Sequence, residues 1–408
     1  MLILYHHDPG GVGDKFGLYK TLRSWALTCK ALLPRCRYNL YRSVMLWGKQ
    51  HEKFLRTLEN NPYLASYIRA LHLFGDILSR PPSILIYLAG KLPNVRVLQL
   101  IICPEIFTHQ YLHKALSSFS TITMLILLVR LGIFDIQRLL HTLSNLQYLE
   151  LLEPPIILPG SNPHCRICCP PRCRLTSFVA SLRFETTLIR TSMGDRTIVK
   201  PPNPDWFALY RALLRTPEFI STMKRFYIEV ISWEGRTETN ASITSSLLAA
   251  AGASLEEAFI YFQELDSKKT WLTHLISLRD NTNLRRLGLF LDSTFDEEVT
   301  GLVPLLSTIS SSVLQEIVLF GWDGFKQVQS STWTLLDEAL CDSRFDALTS
   351  IHVIEDVEDQ NPVPAVERLP RCASRGLISS SYISSATGSF SHRWVNWAPE
   401  YERMLFEV

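Results

Sequence analysis

The chain is predicted to fold as an α/β solenoid, a curved parallel sheet on its concave side and helices on its convex side, preceded by a small helical module. Three observations lead there. A short L-x-x-L-x-L unit recurs through most of the 408 residues, clearest in Asn283–Leu291 (NLRRLGLFL), where Leu287 and Leu289 fall on one face of a short strand. Amphipathic stretches of helical length separate the copies, as in Phe134–Ser144 and Thr294–Ser307. Several copies carry Arg, Glu or Gln between the leucines (Arg285, Arg286, Glu256, Glu257, Gln315, Glu316). A flat parallel sheet buried on both faces would instead show near-continuous apolar strands.

Composition narrows the function classes. Hydrophobic residues make up 47% and charged residues 20%, the balance of a folded soluble chain. With 41 Lys+Arg against 39 Asp+Glu there is no basic field for phosphate backbones, so no nucleic-acid partner is expected. The longest apolar run, Ile122–Phe134, is broken by Arg130 and too short to span a bilayer, so no membrane partner is expected either. Nine cysteines are an odd number, and the apolar Met1–Tyr5 is too short for a signal-peptide core. A reducing compartment, cytoplasmic or nuclear, with free thiols is the expectation.

Taken in order, residues 1–17 read as a flexible leader. The segment MLILY-HHD-PGGVGDKFG followed by a helix has the outline of a nucleotide site, but neither phosphate motif is satisfied. Phe16 stands where the dinucleotide pattern needs its third glycine, and Lys15 follows Asp14 where the P-loop needs Gly. Residues 18–47 are of a different kind: Leu22, Leu27, Leu32 and Leu40 have nearly helical spacing, with Ala26, Cys29 and Leu33 filling the same face. Pro34 ends the first helix and lets a second begin, giving a two-helix module.

Residues 48–357 hold the repeats. Trp47–Asn60 reads as a helix stopped by Asn61-Pro62. Strand signals follow at Ile68-x-x-Leu71-x-Leu73, Val95-x-x-Leu98-x-Leu100, Ile122-x-x-Leu125-x-Leu127 and Leu146-x-x-Leu149-x-Leu151. A weak one at Leu175-x-x-Phe178 is followed by Met223-x-x-Phe226-x-Ile228, Leu255-x-x-Ala258-x-Ile260, Leu284-x-x-Leu287-x-Leu289, Leu314-x-x-Ile317-x-Leu319 and Leu348-x-x-Ile351-x-Val353. Middle positions lie 27, 27 and 24 residues apart in the first group and 32, 29, 30 and 34 apart from Phe226 onward. Leucine-rich repeats run about 20–29 residues, and longer copies carry a full helix on the outer face. Asp135 is a plausible N-cap for one such helix. The step of 48 residues from Phe178 to Phe226, beside the Pro- and Cys-rich Pro154–Arg174, predicts an irregular insertion at about 154–204. Residues 358–408 are expected to be a partly disordered tail: Pro362, Pro364 and Pro370 end the repeats, and Ser379–Ser391 is serine-rich. Trp394 and Trp397 are candidates to fold back over the last repeat.

A resemblance refines the N-terminal module. The series Leu22…Leu27-x-Cys29-Lys30-x-x-Leu33-Pro34-Arg35-x-Arg37-x-x-Leu40-Tyr41-Arg42-x-Val44 resembles the latter half of an F-box, in the version that heads the leucine-rich-repeat F-box proteins of mushroom-forming (basidiomycete-type) fungi. LPRCASRGLI near the end resembles a segment of the same family. The family's opening Leu-Pro-x-Glu-Leu-type helix has no counterpart; YHHDPGGVGDKFG stands in its place, so a truncated or degenerate F-box is expected. The resemblance implies a substrate receptor of an SCF-type cullin ubiquitin ligase with no catalytic residue of its own. Leu22, Leu27, Cys29, Lys30, Leu33 and Pro34 would dock the ligase's adaptor protein, weakly, and the repeats would hold a substrate protein whose identity is unknown. The alternative is a stand-alone repeat scaffold that recruits no ligase.

Candidate sites are few. Cys165-x-x-Cys168 and Cys169-x-x-x-Cys173, beside His164, are the one metal-like constellation, but the adjacent Cys168 and Cys169 compete for one tetrahedral vertex. A cysteine-rich surface loop is the favoured reading, so no metal and no cofactor is expected. Neither G-x-S-x-G nor H-E-x-x-H occurs, and an enzyme is not expected. Residues flanking the leucines point the other way, onto the concave face. These are Tyr227, Glu229, Phe259, Tyr261, Phe290, Val318, Phe320 and His352, with His72, Phe74, Gln99, Tyr148 and Glu150 earlier in the chain. Tyr227, Phe259, Tyr261, Phe290 and Phe320 are the candidate substrate anchors. Packing of these rings against neighbouring strands is the competing reading.

Overall fold

The computed structural model describes residues 21–22, 24–25, 27, 30–47, 50–74, 83–101, 116–128, 133–151, 176–180, 214, 220–232, 237–264, 276–291, 296–321, 328–356 and 364–383. The leader, Cys29, most of the 154–204 segment with its cysteines, and Trp394 and Trp397 lie outside these residues. The chain divides into two compact units, one containing Met1–Arg174, the other containing Leu175–Ser181 and Trp206–Ala386.

In the first unit helix α1 (Leu33–Tyr41) has Pro34 in its first turn, where a missing N–H costs nothing. Five parallel strands follow in chain order: β1 (Ser43–Trp47), β2 (Ala70–Phe74), β3 (Val97–Ile101), β4 (Met124–Leu128) and β5 (Tyr148–Leu151). Helices α2 (Gln50–Asn60), α3 (Ser83–Lys91) and α4 (Ile133–Thr142) lie between strands. Helix α2 buries His51, Phe54 and Leu58, which recur at i, i+3 and i+7, one stripe of a helix.

In the second unit seven more strands run parallel and in chain order: β6 (Ser177–Ala180), β7 (Arg225–Ser232), β8 (Glu257–Glu264), β9 (Arg286–Leu291), β10 (Glu316–Gly321), β11 (Ser350–Asp356) and β12 (Ile378–Ile383). Between them stand α5 (Thr237–Ala251), α6 (Asp296–Ser307), α7 (Ser330–Leu340) and the short α8 (Ala365–Arg368) and α9 (Pro370–Ser374). Parallel neighbours cannot be joined by a tight hairpin, so each strand needs a crossover, and the repeat period supplies it.

The register explains the leucine spacing. Val44, Leu71, Leu98, Leu125 and Leu149 align across β1–β5, and Leu46, Leu73, Leu100, Leu127 and Leu151 form a second row. In the other unit Phe226, Ala258, Leu287, Ile317, Ile351 and Ile378 align, with Ile228, Ile260, Leu289, Leu319 and Val353 beside them. The leading residue of each unit is buried as well: Ile68, Val95, Leu146, Leu255 and Leu284 are all 0% exposed. Fully burying one such side chain stabilises by about 1.5–3 kcal/mol, which makes these rows the core.

Hydrogen bonds fix the start of β2–β5 and β7–β11 in the same way. The Arg69 carbonyl accepts N–H bonds from both Arg96 (2.8 Å) and Val97 (3.0 Å), and the Glu256 carbonyl accepts from Arg285 (2.7 Å) and Arg286 (3.1 Å). Side chains add a second tie. The Asn94, Asn145 and Asn283 amides donate to the carbonyls of Ser66 (3.0 Å), Ser120 (2.8 Å) and Ala253 (2.8 Å) in the repeat before.

The structure extends the repeats beyond the predicted limits at both ends. Ser43–Trp47, placed by sequence in the helical 18–47 module and at the start of the next helix, is a strand paired with β2. Within the predicted 358–408 tail, Ile378–Ile383 is a strand paired with β11, so the serine-rich stretch assigned to disorder begins in the sheet. Its row positions hold Ile378 and Ser380 opposite Ile351 and Val353. A serine where a leucine is expected is why periodicity missed it.

Candidate interaction surface

The face opposite the leucine rows of the second unit is organised in bands. Arg225, Glu257, Arg286 and Glu316 occupy one register row, alternating in sign. Arg225 Nε lies 3.3 Å from Glu257 Oε1 and Arg286 Nη2 lies 2.7 Å from Glu316 Oε1; these side chains are 20–24% exposed. His352 Nε2 approaches the same Glu316 oxygen at 3.4 Å. Each pair is half-screened by water, so its value is specificity and alignment more than stability.

Beyond the charged row lie the aromatics. Tyr227 and Phe259 stack at 4.6 Å with planes 3° apart; Phe259 reaches Phe290 at 6.2 Å, and Phe290 reaches Phe320 at 5.5 Å. Gly288 makes the run possible. A β-carbon there would meet Phe259 Cδ1 at 2.1 Å, so the Phe259 ring occupies the space a side chain would need. Arg286 lies with its guanidinium carbon 5.8 Å from the centre of the same ring. The predicted anchors therefore differ in access. Tyr227 (6%), Phe259 (1%), Phe290 (5%) and Phe320 (3%) are buried, and Tyr261 is the half-buried one. Periodicity gave the face of these rings but had no signal for their mutual cover.

On the corresponding face of the first unit the bands are polar and aliphatic. His72, 5% exposed, meets the Ser43 hydroxyl through Nε2 at 3.1 Å and Gln99 Oε1 through Nδ1 at 2.6 Å. That order of groups has the outline of a nucleophile relay, but the third member is a neutral amide, which stabilises an imidazolium less than a carboxylate would. It reads as a polar row binding three strands together. Tyr148 donates its hydroxyl to Glu150 Oε2 at 3.0 Å, a carboxylate only 4% exposed. Phe74 is half-buried.

The six residues assigned to adaptor docking are placed unevenly. Thr21, Leu22, Ser24, Trp25 and Leu27 are helical. Leu27 is 89% exposed, Trp25 52% and Leu32 42%, whereas Leu22 is 7% exposed. Lys30 and Pro34 are exposed and Leu33 is half-buried; Cys29 lies outside the described residues.

No helix among the described residues is long and apolar enough to cross a membrane. No family model matches the chain, and no curated protein matches it. Among solved structures it is similar to the leucine-rich repeat-containing protein LegL7 from Legionella pneumophila, with 14% sequence identity and a TM-score of 0.43, over 82% of this chain and 90% of that one.

Proposed function

We propose that the chain is a protein-interaction module: a leucine-rich-repeat solenoid that serves as substrate receptor of an SCF-type cullin ubiquitin ligase and works in the cytoplasm or nucleus. The carrying observation is Leu27, left 89% exposed in a chain that buries its repeat leucines almost completely. It stands where the F-box-like pattern has its adaptor contact, flanked by the exposed Lys30, Leu32 and Pro34. The substrate side of the reading is the mixed-charge band Arg225–Glu257–Arg286–Glu316 with Tyr261, whose chemistry suits a polar protein surface better than an apolar ligand. A stable complex buries about 1,200–2,000 Å² in total, more than these N-terminal side chains supply alone, so the adaptor complex is expected to be weak.

The alternative is a stand-alone scaffold. It is favoured by Leu22 and Leu33, which are wholly or partly taken up inside the fold. A pulldown of purified ligase adaptor by the full chain separates the two. Capture that is lost in Leu27→Asp with no change in melting supports the receptor; no capture by the unaltered chain leaves the scaffold. On the substrate side, Tyr261→Ala should reduce partner capture about tenfold or more, since anchor aromatics typically contribute about 2 kcal/mol.

A further inference from the structure

Among the described residues, two cysteines come together. Cys341 follows the last turn of α7, and Cys372 lies in α9, in the repeat that closes the second unit. Their sulfurs are 3.6 Å apart although the residues are 31 positions apart in sequence. A disulfide needs about 2.05 Å, so the sulfurs must approach by roughly 1.5 Å to bond. We propose that Cys341 and Cys372 are a reversible disulfide site that staples the β12-bearing repeat to helix α7 when a peroxide-class oxidant is present.

The surroundings favour this bond over a metal. Asp337, 2% exposed, is the third candidate ligand near the two sulfurs. Both of its oxygens are already engaged: Oδ2 accepts from the Arg371 N–H at 2.8 Å and Oδ1 from the Cys372 N–H at 3.0 Å. The carboxylate is thus committed to the free amides that open α9, and two sulfurs alone fall short of the four ligands of a structural zinc site. The thiols also differ in access. Cys341 is half-exposed and Cys372 buried. Burial, helped by hydrogen bonds to Asp337 and Cys341, pushes the Cys372 thiol well above its ordinary range. Cys341 is therefore the sulfur that meets the oxidant. Hydrogen peroxide converts its thiol to a sulfenic acid and one water. The Cys372 sulfur then displaces that hydroxyl, which leaves with the Cys372 proton as a second water, and the S–S bond forms. The two sulfurs together lose two electrons, which the O–O bond accepts.

Among the described residues, non-covalent contacts hold this seam, including Arg371–Glu338 at 2.9 Å, exposed on both sides, and Arg368 over the Trp333 ring at 5.4 Å. A covalent tie there holds the β12-bearing repeat to its neighbour when these weaker contacts open.

The test treats the full chain with hydrogen peroxide in slight excess, alkylates the remaining thiols, and maps the peptides by mass. A linked pair of Cys341 and Cys372 peptides, lighter than their sum by two hydrogens, is expected. With it the melting temperature should rise by roughly 5–10 °C, reversed by dithiothreitol and absent in Cys341→Ala and Cys372→Ser. Alkylation of both thiols after treatment, a Cys341 sulfinate without a link, or bonds to other cysteines would each overturn the proposal. So would zinc carried by the untreated chain in one-to-one ratio and lost in Cys341→Ala, which would make this a metal site. Both variants are compared with the reduced wild-type melt, so a variant that merely folds poorly is recognised before oxidation.

Discussion

The two units share one backbone scheme and treat charge and bulk in opposite ways. At the strand starts of the first unit the same structural position holds Arg42, Arg69 and Arg96 in successive repeats. In the second it holds Lys224, Glu256 and Arg285. Like charges on adjacent strands repel, and in the first unit Arg42 and Arg69 are engaged locally. Arg69 donates to the carbonyls of Ser66 (2.6 Å) and Ile68 (3.3 Å), and Arg42 lies over the Tyr38 ring at 5.8 Å. The second unit pairs across strands, with Lys224 Nζ 2.8 Å from Glu256 Oε1. The outward faces differ in parallel: a hydrogen-bonded polar row around His72 in one, a stacked aromatic run in the other. The lesson is that the leucine rows specify the repeat, and whatever face is left over is free to carry either chemistry.

The largest test of the shared part is to break a leucine row in each unit. Leu149→Asp and Leu287→Asp, at positions 2% and 0% exposed, bury an unpaired carboxylate and should each cost more than about 4 kcal/mol. Limited proteolysis with mass mapping should show new cuts within the unit that carries the change. Cuts spread equally over both units would mean that the two fold as a single cooperative body.

Next comes the aromatic run, which has no counterpart among the described residues of the first unit. Phe259→Ala should cost about 3–5 kcal/mol in denaturant melts. Gly288→Ala forces a β-carbon against Phe259 and should cost about 1–3 kcal/mol. Combined, the two should cost less than their sum, because removing the ring removes the clash. Simple additivity would show that the ring and the glycine do not share that space.

A smaller effect is expected on the polar face. Tyr148→Phe removes one donor from the buried Glu150 and should lower stability by about 0.5–1.5 kcal/mol in the same assay. No change would mean that the carboxylate is satisfied without it. Smallest of all is Arg96→Glu, which sets one opposite charge beside Arg69, as Glu256 stands beside Lys224 in the second unit. An exposed cross-strand pair contributes about 0.2–1 kcal/mol, so the melting temperature should rise slightly at low salt and the gain should fade at high salt.

The residues themselves determined the period, the strands from β2 to β11 and the inward rows, because a leucine removed from water every second residue of a strand leaves a pattern that local counting detects. They also determined which face holds His72, Tyr227, Phe259, Tyr261, Phe290 and Phe320. Tertiary structure decided what that face became. Whether a ring is an anchor or a rib depends on the residue one strand away, and Gly288, lying 29 positions after Phe259, turns the neighbouring rings into cover for one another. The outer strands were invisible for a related reason. β1 lay inside a helical spacing pattern, and β12 carries a serine where the row expects leucine, so only pairing with β2 and β11 makes them strands. Cys341 and Cys372 meet because α9 docks against α7, capped by Asp337, and no local spacing encodes a contact made by two helices of different repeats.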